Sequence, residues 1–276
     1  MTQDAVGKDG DMKIGFIGMG NMAQAIAAGF IYSDRIDGSD VYAYAPHQDK
    51  LKSNAAKIGF VPAPTPKALV TSVDVVVIAC KPYQIEDVLD EIKGDLKDKA
   101  LLSIAAGWNH DRYEKILGSD TRIQCVMPNT PAMVGEGVLL FERVNSLKED
   151  ERAELMDLFG SLGLVEELPT ELMAIGSAVT GCGPAFMDMI MEAYADAAVK
   201  YGIPRTLAYK FVSQTMLGSA KLQLQSGSHP GVLKDAVCSP AGSTIRGVEA
   251  LEESGLRNAC MKSVKAVMDF SKPDGK

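Results

Sequence analysis

The sequence predicts an α/β protein in which a Rossmann-type doubly wound sheet is followed by an all-helical domain. Three observations support this fold class. The short apolar run 12–17 is followed at once by Gly18-x-Gly20-x-x-Ala23 and a helical pattern. Apolar runs then alternate with helical patterns up to about Leu168, as in a parallel sheet covered on both faces. Beyond Leu168 the strand pattern stops.

The glycine pattern has the order strand, glycine turn, helix that a dinucleotide-binding unit requires. Gly18 permits the tight turn, Gly20 lets the backbone approach phosphates, and Ala23 keeps helix and strand close. A diphosphate is then expected on the free amides at the start of the helix. The residues predicted to contact it are Gly18, Met19, Gly20, Asn21 and Met22.

The later strands and helices are predicted from apolar runs and from the helical spacing between them. Strands are expected at Val41–Tyr44, Val73–Ala79, Ala100–Ala105 and Arg122–Met127, with Gly137–Phe141 and Gly163–Glu167 extending the edge of the sheet. Helices are expected at His47–Lys57, Gln84–Lys93 and Asp111–Leu117.

The chain of 276 residues is too long for one average core, so two domains are predicted. We place the boundary near Pro169, with a dinucleotide-binding domain at residues 1–168 and a helical domain for dimerisation and substrate binding at 169–276. Residues 1–11 are expected to form a loose polar leader.

Composition excludes several classes of protein. Hydrophobic residues are 46% and charged residues 23%, with no signal peptide and no apolar run expected to cross a bilayer, so a cytoplasmic protein is predicted. The net charge of −8 argues against nucleic-acid binding. The five cysteines are scattered, which favours free thiols, and no metal-ligand spacing is present.

The first late helix, predicted at Pro184–Tyr201, is apolar nearly all round. Such a helix needs burial on every face, and a second copy of the chain is the simplest cover in a small helical domain. We therefore predict a homodimer. Asp188, Glu192 and Asp196 lie one turn apart on one face, and they are either a catalytic acid pair or a solvated, salt-bridged stripe.

The segment Val237–Thr244 precedes a helix predicted at Ile245–Glu252 and contains small residues. Ser239 is a good N-cap and Pro240 a good first helical residue, so the following amides are expected to be free to bind a carboxylate. The alternative is a helix start with no ligand. The predicted substrate-binding residues are Val237, Ser239, Ala241, Gly242, Ser243 and Thr244.

Five motifs together resemble the pyrroline-5-carboxylate reductase family, over Lys13 to about Phe270. They are DAVCSPAGSTIRGVEAL at Asp235–Leu251, ACKP at Ala79–Pro82, SIAAG at Ser103–Gly107, MPNTPA at Met127–Ala132 and TGCGPAF at Thr180–Phe186. The resemblance implies reduction of 1-pyrroline-5-carboxylate to L-proline by hydride transfer from NAD(P)H. It also implies dimers, sometimes assembled into larger rings, with an active site shared between domains and between chains.

The chain departs from the family pattern at three positions. Ala241 stands where the family usually has a glycine, Cys182 where it has a serine, and Phe186 where it has a tyrosine. Ala241 keeps its amide. Cys182 and Phe186 each lack a strong hydroxyl, which puts in question any hydrogen bond that the family makes there.

Reduction of a cyclic imine that carries a carboxylate needs a hydride donor, a fixed anion site and a proton for nitrogen. An imine nitrogen is partly protonated in neutral water, so a hydroxyl suffices, and Thr244 is the predicted catalytic residue. Of the three histidines, His110 and His229 are expected to be surface or capping residues, and His47 is the exception because it lies at the end of the second strand, where the cofactor is expected.

The preferred donor depends on the end of the second strand. NAD enzymes carry a carboxylate there, whereas this strand ends Tyr44-Ala45-Pro46-His47, and Asp40 is at the opposite end. We therefore predict NADPH, with its extra phosphate near Pro46, His47 and Lys50, and NADH as a usable second donor.

The remaining cofactor-lining residues follow from the resemblance, which implies that ACKP lies along the nicotinamide ribose. They are Ala79, Cys80, Lys81, Pro82, Ala105 and Asn129. Lys81 is assigned to lining and not to proton donation, and an exposed loop lysine is its alternative explanation. Asn129 and Thr130 form a rigid loop facing the same cleft, or they are turn formers.

Two rival functions remain. A β-hydroxyacid dehydrogenase acts on a 2-hydroxy acid or a related substrate and needs a general acid or base, such as a lysine, in the first long helix of its second domain. Residues 184–199 contain no lysine. A reductase of a related cyclic imine stays open. A non-catalytic dinucleotide sensor would keep the glycine turn but would not need a bare helix start with Thr244.

Overall fold

The computed structural model describes residues 12–271, so the predicted leader at residues 1–11 lies outside the described residues. The chain divides into two compact units. The first, here called the Rossmann unit, ends at Cys182, and the second, the helical unit, begins at Gly183. The predicted boundary near Pro169 stays a prediction about domain organisation; by contacts, the helix that follows Pro169 groups with the Rossmann unit.

The Rossmann unit contains an eight-stranded sheet in the order β3-β2-β1-β4-β5-β6-β7-β8. The strands are β1 (Ile14–Ile17), β2 (Val41–Tyr44), β3 (Val61–Pro62), β4 (Val75–Ile78), β5 (Ala100–Ser103), β6 (Arg122–Met127), β7 (Gly137–Glu142) and β8 (Gly163–Leu168). Neighbours from β3 to β6 are parallel. β7 is antiparallel to β6, and β8 is parallel to β7.

The α-helices were predicted in part. Those of the Rossmann unit are α1 (Asn21–Tyr32), α2 (Gln48–Ile58), α3 (Pro66–Ser72), α4 (Ile85–Ile92), α5 (His110–Leu117), α6 (Glu149–Gly160) and α7 (Thr170–Thr180). Those of the helical unit are α8 (Gly183–Lys200), α9 (Arg205–Ser226), α10 (Pro230–Ala236), α11 (Ser243–Glu253) and α12 (Leu256–Phe270). Every strand and helix predicted above is confirmed within a few residues.

Four elements of the Rossmann unit were missed: β3, α3, α6 and α7. β3 has two residues, too few to produce a pattern. α3 carried a usable signal, since Thr65 accepts a hydrogen bond from the Ala68 amide and Pro66 is the first helical residue. α6 also begins with acidic residues. The expected parallel sheet is present from β3 to β6, but β7 returns antiparallel to β6 because the short connection 128–136 cannot cross over.

Both faces of the sheet are covered, as the continuous apolar strands predicted. On one face Phe159 of α6 packs edge-on against Phe30 and Phe141, with ring centroids 5.1 and 5.6 Å apart. The other face buries Leu89 and Tyr113 among the aliphatic side chains of β4 and β5. Two separate apolar layers therefore hold the sheet.

α7 is held to the sheet at its start and along its length. The Thr170 hydroxyl lies 2.6 Å from Oε1 of the buried Glu142 on β7. Gly176 faces Leu140 and Leu168 so closely that a Cβ would lie 2.8 and 2.7 Å from their methyl groups. These contacts explain why α7 belongs with the Rossmann unit.

The helical unit lacks a core of its own. Among its described residues, only Ala195 and Ala208 are fully buried. The apolar side chains left exposed include Met187, Met189, Tyr194, Leu207, Tyr209, Phe211, Leu217, Leu222, Leu224, Val232, Met261 and Phe270. The prediction that α8 is apolar on several faces is confirmed, and a single copy of the chain leaves this surface uncovered.

The expectation that no apolar run could cross a bilayer was too strong. The stretch Thr170–Lys200 reaches the required length and apolarity, with a mean hydropathy of 1.2. This stretch is not a single continuous apolar helix. α7 ends at Thr180, and α8 carries the charged residues Asp188, Glu192 and Asp196. Length and composition alone therefore give weak support for a membrane span.

The contact between the first residues of β7 and β8 generates a stability prediction. Gly163 has φ +142°, and a Cβ there would lie 2.1 Å from the Gly137 carbonyl oxygen. We expect Gly163→Ala to lower the free energy of unfolding by about 2–4 kcal/mol, because backbone strain and a backbone clash combine. Chemical denaturation measures this change.

Gly118→Ala is the matched control. Gly118 also has positive φ, +86°, but a Cβ there meets open space. Strain alone should cost about 1–3 kcal/mol, because φ +86° with ψ 164° is a conformation that few residues other than glycine adopt. Equal losses in the two variants would contradict the assignment of a backbone clash at Gly163.

Candidate functional site

The glycine turn after β1 is closed by backbone contacts. Gly18 has φ +101°, and its N–H donates to the Tyr44 carbonyl at 2.8 Å. A Cβ on Gly18 would lie 2.6 Å from the carbonyl carbon of Ala79 and from the amide nitrogen of Cys80. The tight turn predicted at Gly18 is therefore present, and only glycine fits between β2 and β4 there.

The start of α1 fits a dinucleotide diphosphate. Gly20 is the exposed N-cap, and a Cβ there would meet open space. No side chain of the described residues caps this helix, and its first turn carries no acid. Ala23 is buried against the sheet, as predicted. The free first-turn amides and the helix dipole together favour an anion.

The sheet places these groups where open α/β proteins bind ligands. β1 lies between β2 and β4, so the strand order reverses at this point. β2 and β3 lie on one side of β1, and β4, β5 and β6 lie on the other. The crevice at such a reversal opens at the carboxyl ends of the strands. The predicted cofactor-binding residues from Gly18 to Asn129 all follow carboxyl ends, namely those of β1, β2, β4, β5 and β6.

The end of β2 carries no carboxylate. His47 is the exposed N-cap of α2 and makes no capping hydrogen bond. Pro46 to Lys50 line a shallow surface depression, and Asp49 contributes a carboxylate to it. Asp40 ends a 3-10 turn before β2, at the opposite end of the strand, as predicted. Gln48, which the sequence analysis did not single out, fixes the loop by donating to the Ala45 carbonyl at 2.9 Å.

The ACKP segment follows β4 and changes from half-buried to exposed along its length. Ala79 donates its N–H to the Ile17 carbonyl at 2.9 Å. Burial raises the pKa of the Cys80 thiol, so this cysteine stays protonated at neutral pH. Lys81 and Pro82 are exposed and begin a 3-10 turn. Lys81 is thus free to line a bound cofactor, and the same exposure fits the alternative of a plain loop lysine.

A buried pair of hydroxyl groups holds the loop after β5 in place, and this pair was not predicted from the sequence. The Ser103 hydroxyl lies 2.7 Å from the Tyr113 hydroxyl and accepts the Ala105 N–H at 3.2 Å. Burial raises the pKa of Tyr113, so its phenol stays protonated. A serine at a strand end and a tyrosine in the next helix carry no spacing signal that predicts such a pair.

Asn129 follows β6 and uses its side chain internally. Its Oδ1 accepts the Val138 N–H at 2.8 Å, and its Nδ2 donates to the Thr180 carbonyl at 3.0 Å. The residue is 6% exposed, whereas the adjacent Thr130 is exposed. Both ends of the amide are engaged with the backbone of other elements, so Asn129 neither caps its own turn nor offers a free amide group.

The helix after the DAVCSPAGST segment begins later than predicted. α11 starts at Ser243 with Gly242 as N-cap, so the assignments of Ser239 as N-cap and Pro240 as first helical residue were wrong. Ser239 to Gly242 form a turn closed by the Gly242 N–H on the Ser239 carbonyl at 3.0 Å. Proline at the second position of a turn and a positive φ at the third explain this shape.

The free amides predicted for this helix are nevertheless present. No described side chain caps α11, its first turn carries no acid, and Ser243 and Thr244 are exposed. Gly242 has no side chain to cover the amides. The Val237 side chain is exposed nearby in sequence, and Lys234 pairs with Asp235. The helix dipole and open amides suit a carboxylate, with the Thr244 hydroxyl in the same turn.

Ala241 adopts a conformation that favours glycine. It has φ +58° at the third position of the turn. A left-handed alanine costs about 1 kcal/mol relative to glycine. The departure from the family pattern at this position is therefore a strained residue and not only a more crowded one.

The remaining titratable candidates do not form a second catalytic centre within residues 12–271. Asp188 and Glu192 are exposed and Asp196 pairs with Arg205, which favours the salt-bridged stripe. No cluster of potential metal ligands is found in the same range. The described cysteines are free.

The histidines were predicted in part. His229 caps α10 by accepting the Gly231 N–H at 3.0 Å, as expected. His110 is buried, so its assignment as a surface or capping residue was wrong. It lies at the start of α5, where its backbone N–H donates to Glu142 Oε2 at 2.8 Å. Its ring Nε2 lies 3.2 Å from Ser146 Oγ. That serine donates to the Thr121 carbonyl, so the pair is not a nucleophile and base.

Comparison with known proteins identifies the family. The family model described as "Pyrroline-5-carboxylate reductase dimerisation" matches residues 170–273, and "NADP oxidoreductase coenzyme F420-dependent" matches residues 13–107. The pyrroline-5-carboxylate reductase of Treponema pallidum is 39% identical over 94% of this chain and 100% of its own length. That of Escherichia coli is 38% identical over 95% and 97%.

A solved structure shows the same relationship. The pyrroline carboxylate reductase of Plasmodium falciparum, with NADP bound, aligns with a TM-score of 0.87 at 32% identity, covering 96% of this chain and 99% of that one. The fold agrees with that of the solved structure, the sequence identity extends over nearly the whole chain, and residues 170–273 match the family's dimerisation region. The chain belongs to the pyrroline-5-carboxylate reductase family.

Proposed function

We propose that the chain reduces 1-pyrroline-5-carboxylate to L-proline with NADPH as preferred donor and NADH as a usable second donor, the last step of proline biosynthesis. Family membership supports the reaction and the substrate. Within this chain, the observation that carries the proposal is the exposed, uncapped start of α11 with Thr244 in its first turn. An anionic substrate needs such a site, whereas a dinucleotide sensor does not.

The Rossmann unit contributes the residues that hold the dinucleotide. The first-turn amides of α1 bind the diphosphate beside Gly20, while Ala79–Pro82 and Ala105 line the nicotinamide end. When bound, NADPH supplies the hydride that adds to the imine carbon. The protonated Cys80 thiol offers no competing nucleophile at this edge.

The helical unit contributes the anion site. The amides of Ser243 and Thr244 hold the substrate carboxylate, and Gly242 leaves room for it. The imine nitrogen carries its own proton in part of the population, so the Thr244 hydroxyl orients it and no stronger acid is required. This agrees with histidines that serve structure, since His229 caps a helix and His110 is buried against Glu142.

The preference for NADPH rests on the end of β2. Lys50 carries a positive charge, the His47 ring can donate a hydrogen bond, and the start of α2 has free amides, so all three are available to a 2′-phosphate, and that end of the strand itself carries no carboxylate. Asp49 in the first turn opposes this attraction. We weigh one side-chain cation, one imidazole hydrogen-bond donor and a helix dipole above one exposed carboxylate.

The proposal includes a homodimer built on the helical unit, which in turn assembles into larger rings of dimers. The apolar surface of α8 and α9 supports this, because a single copy leaves it exposed. We further propose a cytoplasmic protein without nucleic-acid, membrane or metal partners, supported by the acidic net charge and the free cysteines.

A β-hydroxyacid dehydrogenase is disfavoured by α8. That chemistry needs a general acid or base in the first long helix of the second domain, and the single lysine of α8, Lys200, lies in its last turn. A reductase of a related cyclic imine has the same requirements as the proposed enzyme and is separated from it by assay.

The deciding experiment follows the loss of reduced-nicotinamide absorbance when pyrroline-5-carboxylate is added to the purified protein. Rapid loss with proline as product supports the proposal. Faster turnover of another cyclic imine would replace the substrate, and turnover of neither with intact NADPH binding would favour the sensor.

Removal of the Thr244 hydroxyl should slow the chemical step. We expect Thr244→Ala to lower kcat by roughly 10- to 100-fold, as for loss of one positioned hydrogen-bond donor. NADPH affinity and the size of the oligomer should be unchanged, and Thr244→Ser should restore most of the activity. Steady-state kinetics, NADPH fluorescence titration and light scattering measure these quantities.

Thr71→Ala is the control for this variant, since Thr71 is an exposed threonine on α3 bonded only to its own helix. It should behave as wild type. Full activity of Thr244→Ala would remove the catalytic assignment.

The two donors should differ in kcat/KM when compared at equal low concentration, with NADPH favoured. The double variant His47→Ala/Lys50→Ala should weaken NADPH binding roughly tenfold or more through the lost phosphate contacts and leave NADH binding nearly unchanged. Lys57→Ala, at the other end of α2, is the control. A large advantage for NADH in the wild-type protein would refute the preference.

A further inference from the structure

The side chain of Asn129 bonds away from the loop in which it lies. Asn129 is the N-cap of the 3-10 turn Thr130–Val134, yet its side chain makes no capping hydrogen bond to that turn. A free asparagine in this position ordinarily caps. The buried amide instead reaches two other elements, which indicates a role beyond turn formation.

Each of these two bonds satisfies a specific backbone group. The Val138 N–H belongs to β7 and lies 2.8 Å from Oδ1. The Thr180 carbonyl belongs to the last residue of α7, where the helix offers no amide partner, and it accepts from Nδ2 at 3.0 Å. Asn129 therefore joins the loop after β6, the edge of the sheet and the end of α7.

The position of Thr180 gives this bond its importance. Thr180 is followed by Gly181 and Cys182, and the helical unit begins at Gly183. The other end of α7 is fixed through Thr170 and Glu142. With both ends of α7 bonded to the sheet side of the Rossmann unit, the chain leaves that unit from a fixed point.

We propose that Asn129 is a positioning residue that holds Thr180, the exit point of the chain toward the helical unit, and that it acts in this way and not by contact with the cofactor. The inference rests on the proposed function, in which the donor is bound by one unit and the substrate carboxylate by the other. Loss of the bond then impairs hydride transfer while leaving dinucleotide binding intact.

The test is Asn129→Asp. The carboxylate keeps the shape of the side chain and still accepts the Val138 N–H, but it places an oxygen against the Thr180 carbonyl. We expect kcat to fall roughly tenfold or more, as for misplacement of reacting groups. The dissociation constant for NADPH should change less than about twofold, within the scatter of such measurements. Limited proteolysis should cut faster within residues 181–183.

Asn145→Asp is the matched control. The partly buried Asn145 also donates from Nδ2 to a carbonyl, that of Arg143 at 3.1 Å, and accepts a backbone N–H, that of Leu147 at 3.2 Å. Its replacement should leave kcat, NADPH affinity and cleavage at 181–183 as in wild type. If Asn129→Asp fails to fold, Asn129→Ser, too short to reach Thr180, serves in the same measurements.

Three results would overturn the inference. A parallel loss of NADPH affinity and kcat would mean that Asn129 contacts the cofactor. A lower melting temperature with unchanged kcat and cleavage would mean a purely structural role. Unchanged behaviour in every measurement would mean no role. Failure of the wild-type protein to reduce pyrroline-5-carboxylate would instead overturn the proposed function, and the cleavage rate would still decide whether Asn129 holds the exit point.

Discussion

The architecture depends on the close approach between the turn after β1 and the end of β4. Gly18 lies against the peptide that joins Ala79 to Cys80, at a distance that no side chain allows. This contact brings the start of α1 and the ACKP segment to one side of the same crevice. The proposed diphosphate site and the proposed nicotinamide-lining segment are therefore both positioned by a single backbone packing constraint.

The two units differ in how they are stabilised. The Rossmann unit buries aromatic and aliphatic side chains on both faces of its sheet, and the buried Glu142 and Ser103 find partners in neighbouring elements. The helical unit contains five helices, but among its described residues a single copy of the chain buries almost no side chains. Its stability must come from association, which agrees with the family region that it matches.

Much of the fold could be predicted because its signals are local. Continuous apolar strands, the glycine turn and the helical spacing of α8 fix element type over a few residues. The direction of β7 was not predictable from the strand itself, because a strand has the same pattern in either direction and only the short connection before it decides. β3 was missed because two residues show no period.

The candidate site was predictable in composition and less so in geometry. The segment before α11 was identified from its small residues, yet its helix begins at Ser243 because the strained Ala241 completes a turn first. The roles of Asn129, His110 and Tyr113 depend on partners distant in sequence, to which no spacing rule applies. Only the folded chain brings those partners together.

The scarcity of buried side chains in the helical unit has a kinetic consequence. If Ala195 and Ala208 are all that one copy encloses there, consolidation of these helices is a bimolecular event, and newly made chains pass through a state with a formed sheet and loosely ordered helices. The lifetime of that state shortens as protein concentration rises. Dilution after assembly would lengthen it again, and exposed methionine and leucine side chains would then be open to chaperones and proteases.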